Sequence, residues 1–163
     1  VLKRGIFIII CILLGLWTTG CQQQEDFGNN TVNTYILDLD ENFERVEEKE
    51  DENILRVYDL GEQTYSVVTK VMGFEGMIFI DVRLEDQAIH EVKIIHENES
   101  EGYGHYIVES WFLERFQISG YEELKLTKYF KEQEDEVVAV TGATISSQAV
   151  LDAVNNTLDI IGG

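Results

Sequence analysis

The chain has 163 residues and carries 12 basic against 31 acidic side chains, a formal net charge of −19. That length allows one ordinary domain with a real core plus a short appendage, and argues against two domains. The acidity excludes nucleic-acid binding, which needs a positive patch against phosphate, and argues against an electrostatic grip on anionic lipid.

The chain starts Val1-Leu2-Lys3-Arg4, runs through 13 uncharged residues from Gly5 to Trp17, and continues as Thr18-Thr19-Gly20-Cys21 into the polar Gln22–Asp26. A spanning helix needs about 20 apolar residues, so a basic start, a short apolar core and small residues before a cysteine predict a secretory leader. The pattern resembles a bacterial lipobox, with Trp17 and Thr18 as departures. Residues 1–20 are therefore expected as a lipoprotein signal peptide and Cys21 as the lipidated (palmitate) residue; a retained N-terminal anchor is the other reading. Both place the remainder outside the cytoplasm, at the extracytoplasmic face of a bacterial cell membrane, and lipidation would hold it there through acyl chains instead of charge. Cys11 and Cys21 are the two cysteines of the sequence. With neither in the mature domain, structural disulfides, cysteine-ligated zinc, iron–sulfur clusters and haem attachment are excluded. Any redox chemistry must then come from a cofactor held otherwise.

Residues 21–34 are polar and read as a tether, with a single domain expected over 35–163. Ile36, Leu39, Phe43 and Val46 recur at helical spacing through the acid-rich run Asp38–Glu52, which predicts a solvated helix face. As an EF-hand loop this run fails, because Lys49 stands where the bidentate glutamate should. From Asn53 the period shortens to two. Strands are predicted at Ile54–Asp59 and Thr64–Met72, then a turn at Gly73-Phe74-Glu75-Gly76, then strands through Ile78–Leu84 and Ala88–His96. The expectation is an α+β fold: an antiparallel meander with one buried face, packed helices, and a C-terminal strand–turn–helix. His90, Glu91 and His96 have neither the spacing nor the helix of a zinc site, so no metal is expected. Gly102 and Gly104 lack the third glycine of a dinucleotide loop and read equally as a strand-to-helix turn.

His105–Gln117 is predicted as a helix whose Trp111, Phe112, Leu113 and Phe116 supply apolar bulk. Trp111 is weighed as core against flavin stacking, with core favoured. Leu124, Leu126, Tyr129 and Phe130 read as a short semi-buried segment, followed by an acidic loop. The last strand, Val137–Val140, meets Thr141-Gly142, after which the pattern turns helical: Ile145, Ala149, Val150, Leu151, Ala153, Val154 and Leu158 cover one broad face. Gly142 and Ala143 leave room for a close ligand, and the hydroxyls of Thr141, Thr144, Ser146 and Ser147 crowd the helix start. Free N–H groups and the helix dipole suit a phosphate there, while a Ser/Thr side-chain cap is the plainer alternative.

Thr141-Gly142-Ala143-Thr144-Ile145-Ser146-Ser147 with Ala149-Val150 resembles the signature of the FMN-binding domain family, found in the G subunit of Rnf complexes, the C subunit of sodium-translocating NADH:quinone oxidoreductases and free-standing flavolipoproteins. The resemblance covers about Tyr58 to Ile161. It implies FMN carried on Thr144 through a phosphoester bond, with Thr141, Gly142, Ala143, Ser146 and Ser147 around the phosphate. The stretch Glu99 to Gly104 resembles the family's loop near the flavin, adding Glu99, Gly102, Tyr103 and Gly104, with Trp111 beside them; Glu101 replaces a usual proline. Val138 stands where flavinylated members carry an aspartate. The implied function is electron relay by a membrane-tethered carrier, not turnover by a stand-alone enzyme. The implied partners are a flavin transferase and either a quinone- or NADH-linked membrane redox partner or an extracellular electron acceptor. A reversible flavin binder, a flavin-free assembly module of a respiratory complex, and an unrelated acidic lipoprotein whose Thr141–Ser147 only caps a helix remain open beside it.

Overall fold

The computed structural model describes residues 26–46 and 51–162; the expected leader and the start of the tether, residues 21–25 with Cys21, lie outside them. Asn29 opens the first helix by accepting the amides of Thr31 at 2.9 Å and Val32 at 3.2 Å, a side-chain cap that starts α1 at Asn30–Asn42. The helix begins inside the stretch read as tether and ends before Phe43 and Val46. Residues Glu44–Arg45 already form a short strand, β1. Burial of Val32, Ile36 and Leu39 explains the earlier start: they share one face, and that face needs a partner.

The partner is an antiparallel five-stranded sheet in the order β1-β2-β3-β4-β5, with β2 at Ile54–Gly61, β3 at Thr64–Met72, β4 at Met77–Glu85 and β5 at Ala88–His96. These strands match the alternating pattern closely. The expectation of one buried face does not hold, because both faces are covered. Ile78, Ile80, Val82 and Leu84 of β4 join the main core, while Phe79, with Tyr58 and Val68, packs against α1. Asp81 lies fully buried on the α1 side, where it accepts the Tyr35 hydroxyl at 2.6 Å and the Ser66 hydroxyl at 2.7 Å and pairs with Arg83 at 3.2 Å. A buried carboxylate is tolerated only with such partners. Burial, with Asp81 beside it, raises the Tyr35 phenol well above its ordinary value.

The predicted helix over His105–Gln117 is broken. A 3-10 turn at Gly104–Val108, the four-residue α2 at Ser110–Leu113 and another 3-10 turn at Glu114–Phe116 replace it, because Glu109 is extended (φ −72°, ψ 136°). Phe112 and Phe116 carry the packing as an edge-to-face pair 5.3 Å apart. Leu124 is buried, but Tyr129 and Phe130 are exposed, contrary to the semi-buried reading. Lys125–Thr127 (β6) pairs in parallel with Glu136–Val138 (β7). The last helix, α3, runs Thr144–Gly162 and fills the other face of the sheet with Ala149, Val150, Leu151, Ala153, Val154 and Leu158. Ile145 departs from the predicted face and is exposed in the first turn. Asn155 fixes this helix to the start of β6, accepting the Leu124 amide at 2.9 Å and donating to its carbonyl at 3.0 Å.

Two hairpin turns have a backbone that their residues resist. Glu62 and Gln63, and again Asp86 and Gln87, all have positive φ, between 50° and 66°. Two-residue turns of this kind favour glycine at the second position. Replacing Gln87 by Gly is expected to raise the melting temperature by about 2 °C, as relief of left-handed strain outweighs added chain entropy. Thermal unfolding followed by circular dichroism measures this, and an unchanged or lower midpoint would contradict the strain.

Candidate functional site

The turn into α3 is closed by the Ala143 amide donating to the Val140 carbonyl at 3.0 Å. Gly142 occupies the third position of this turn with φ +83°, a backbone that needs glycine. A second constraint acts on the same residue: a Cβ there would stand 2.5 Å from the Tyr103 ring. The first helical bond runs from the Ser147 amide to the Ala143 carbonyl at 2.9 Å, so Ala143 holds the capping position. Alanine has no side-chain oxygen to offer. The side-chain cap therefore does not form, and among the described residues the amides of Thr144, Ile145 and Ser146 have no hydrogen-bond acceptor.

The four hydroxyls of the motif divide into two pairs. Ser146 is buried and donates to Glu99, and Ser147 is buried and accepts the Val140 amide at 3.0 Å. Both are turned into the protein instead of crowding the helix end. Thr141 is exposed and Thr144 half-buried, and neither hydroxyl has a partner among the described residues. Three amides and two threonine hydroxyls thus stand together at the positive end of a 19-residue helix. This is a donor set suited to a phosphate.

Glu99 holds that end in place. Its carboxylate accepts the amides of Phe74 and Glu75, each at 3.1 Å, as well as the Ser146 hydroxyl, and so ties the β3–β4 turn to α3. Gly73 and Gly104 are glycine for the same reason, since a Cβ at Gly73 would collide with the Glu99 carboxylate and one at Gly104 would lie 2.7 Å from the Glu99 Cβ. Burial works against the charge, but the Ser146 hydroxyl and the amides of Glu75, Phe74 and Gly76 outweigh it and hold the carboxyl below its ordinary 4.5. Next to it, Glu97 bonds His105 at 2.6 Å. Sequence reasoning placed Glu99 near a flavin and missed its inward role; the glycine pair around Phe74-Glu75 was the available signal.

Gly102 meets no neighbour within 4 Å, so nothing among the described residues requires glycine there. Trp111 is 46% exposed, which overturns its reading as core; Phe112 takes that place. The Arg115 guanidinium lies 4.8 Å from the Trp111 ring centre and donates to the Val138 carbonyl at 2.5 Å, so Trp111 stands beside the strand that leads into the motif.

A profile of the FMN-binding domain matches residues 73–159, more than half of the chain, and spans both Glu99 and Thr141–Ser147. The chain belongs to the FMN-binding domain family. Its cofactor is FMN, and an unrelated lipoprotein with a plain helix cap is no longer a reading. The solved C subunit of the Na(+)-translocating NADH-quinone reductase from Parabacteroides distasonis has the same fold, with a TM-score of 0.52 at 20% identity over 64% of this chain. The chain spans 58% of the length of that protein. Shewanella oneidensis NqrC is similar, with a TM-score of 0.53 at 16% identity over 70% of this chain and 67% of its own length. No curated protein matches the chain in sequence. Among the described residues of this FMN-binding domain no helix is long and apolar enough to cross a membrane, and no group of His, Cys, Asp and Glu could hold a metal ion.

The buried Glu99 bonds make acid stability the direct test of this geometry. A carboxyl with a depressed folded pKa contributes fully above its unfolded value and loses that contribution as pH falls through the folded value. Glu99→Gln removes the ionisation and leaves amides and a hydroxyl short of acceptors, so it is expected to cost about 2–3 kcal/mol near neutral pH. Its melting temperature should also drop less than the wild type's between about pH 6 and about pH 3. Parallel acid limbs would show that Glu99 does not carry this charge in the fold.

Proposed function

We propose that the domain is an electron-relay flavoprotein that holds FMN through a phosphoester bond to Thr144 Oγ1. The observation that carries the reading is the capping position. Ala143 offers no side-chain oxygen to the helix start, so the amides of Thr144, Ile145 and Ser146 are left for an anion, with the Thr144 hydroxyl among them. On this reading those amides and the Thr141 hydroxyl offset the phosphate charge, while Gly142 supplies the left-handed turn and makes room for the Tyr103 ring. Ser146 and Ser147 act from inside by fixing the first turn, not by touching phosphate. FMN supplies reversible uptake and release of electrons when bound, while the protein sets position, access and dielectric. Tyr103, whose ring lies over Gly142, is the aromatic side chain in contact with the motif and so the candidate to meet the flavin ring.

The N-terminal pattern supports placing this relay outside the cytoplasm, held at the membrane through Cys21, with a flavin transferase needed for maturation and a membrane-bound or extracytoplasmic redox protein as partner. The fold likeness to a subunit of an NADH-quinone reductase favours such a partner. A second reading, reversible FMN binding without the phosphoester, is favoured by Val138, which stands where flavinylated relatives carry an acid.

Intact mass separates the two. Co-expressed with a flavin transferase, the mature chain is expected to gain one FMN less one water, and Thr144→Ala to remove the gain. Yellow colour lost on dialysis with no mass gain would establish the reversible reading and sink the covalent one. For location, Cys21→Ala is expected to move the protein from the membrane fraction to the soluble fraction; persistent sedimentation with membranes would favour a retained anchor.

A further inference from the structure

Five exposed apolar side chains gather at the end of the domain where α3 begins. Met72 and Phe74 are 65% exposed, Tyr103 61%, Ile145 55% and Met77 38%. Glu99 brings them together. The Phe74 amide and the Ser146 hydroxyl bind the same carboxylate oxygen, so the tip of the β3–β4 hairpin lies against the first turn of α3, which bears Ile145. Tyr103 covers Gly142 in that same turn region. Met72 and Met77 pair across the hairpin and are the two methionines of the sequence. Methionine suits adaptable contact surfaces, and an exposed apolar patch with a polar rim marks an interaction site. The rim here is acidic: Glu75 sits within the hairpin tip, and Glu97 and Glu101 line the adjoining cleft.

Charge selects the occupant. At −19, a second copy of this chain is repelled, as is an anionic bilayer. A protein whose apolar contact is ringed by lysine and arginine is attracted, and its encounter is steered toward the acidic rim. We propose that this end of the domain is the docking surface for a one-electron redox protein with a cationic rim, with the hairpin Met72–Met77 making the apolar contact next to Thr144. The exchange rests on the flavin reading, though the contact itself does not. Each partner molecule accepts one electron, so two are reduced for each fully reduced flavin reoxidised; the flavin's two protons pass to solvent, and no covalent bond forms.

The test uses the full chain in phosphatidylcholine nanodiscs, labelled with 13C-methyl methionine and titrated with ferricytochrome c, a one-electron haem protein with a lysine ring at its haem edge. Both Met72 and Met77 signals are expected to shift or broaden, with affinity falling about tenfold from low to physiological ionic strength. Phe74→Ser is expected to weaken binding about fivefold with flavin content unchanged. Glu75→Lys should weaken it more than Glu122→Lys, which lies toward the opposite end of the sheet beside the β4–β5 turn. The proposal is overturned by probe binding that leaves the methionine signals unmoved, or by equal effects of the two charge reversals. Broadening of the methionines by spin-labelled lipid before the probe is added would assign the patch to the bilayer. Concentration-dependent shifts without probe would assign it to a second copy; both outcomes defeat the proposal. Repeating the titration on Thr144→Ala separates the two readings, because the contact persists without flavin while an absent mass gain reports on the flavin alone.

Discussion

The Glu99 carboxylate, buried against the amides of Phe74 and Glu75 and the hydroxyl of Ser146, is the interaction on which this end of the molecule depends. An unpaired charge at such a depth costs several kcal/mol, so its donors are obligatory. The consequences spread outward. Gly73 and Gly104 must lack a side chain, the β3–β4 turn must face α3, and Ser146 must point inward. With Ser146 and Ser147 committed and Ala143 at the cap, the helix start keeps its donors free. A buried carboxylate on one side of the first turn thus stands against free backbone donors on the other.

The strands are legible in the sequence because alternation and turn residues agree: Thr64–Met72 and Ala88–His96 begin and end where the pattern does. Period alone could not reveal the second layer. Phe79 and Asp81 read as the solvent side of β4, and only α1, with Tyr35 reaching Asp81, makes that side an interior. A polar residue on a strand looks the same whether water or a tyrosine satisfies it. The broken stretch over 104–116 escaped for a related reason, since a single extended residue, Glu109, interrupts a pattern whose apolar spacing is otherwise helical.

At the candidate site, residue types singled out the segment Thr141–Ser147, and composition could not assign their directions. Four hydroxyls within seven residues suggested a shared task, yet two of them are internal braces. What rules out a side-chain cap is which residue accepts the first helical bond, a backbone fact that falls on Ala143. Trp111 shows the same limit, because helical spacing could not tell it from Phe112 without the break that precedes both.

The missing cap has a thermodynamic side. A helix start with three unsatisfied amides frays more readily than one closed by serine or aspartate, so on the proposed reading the cofactor phosphate completes a secondary-structure element. Stabilisation by a freely exchanging ligand grows with the logarithm of its concentration and fades where the ligand is dilute. On the proposed phosphoester that dependence vanishes, and the order of the last helix becomes a permanent record of maturation.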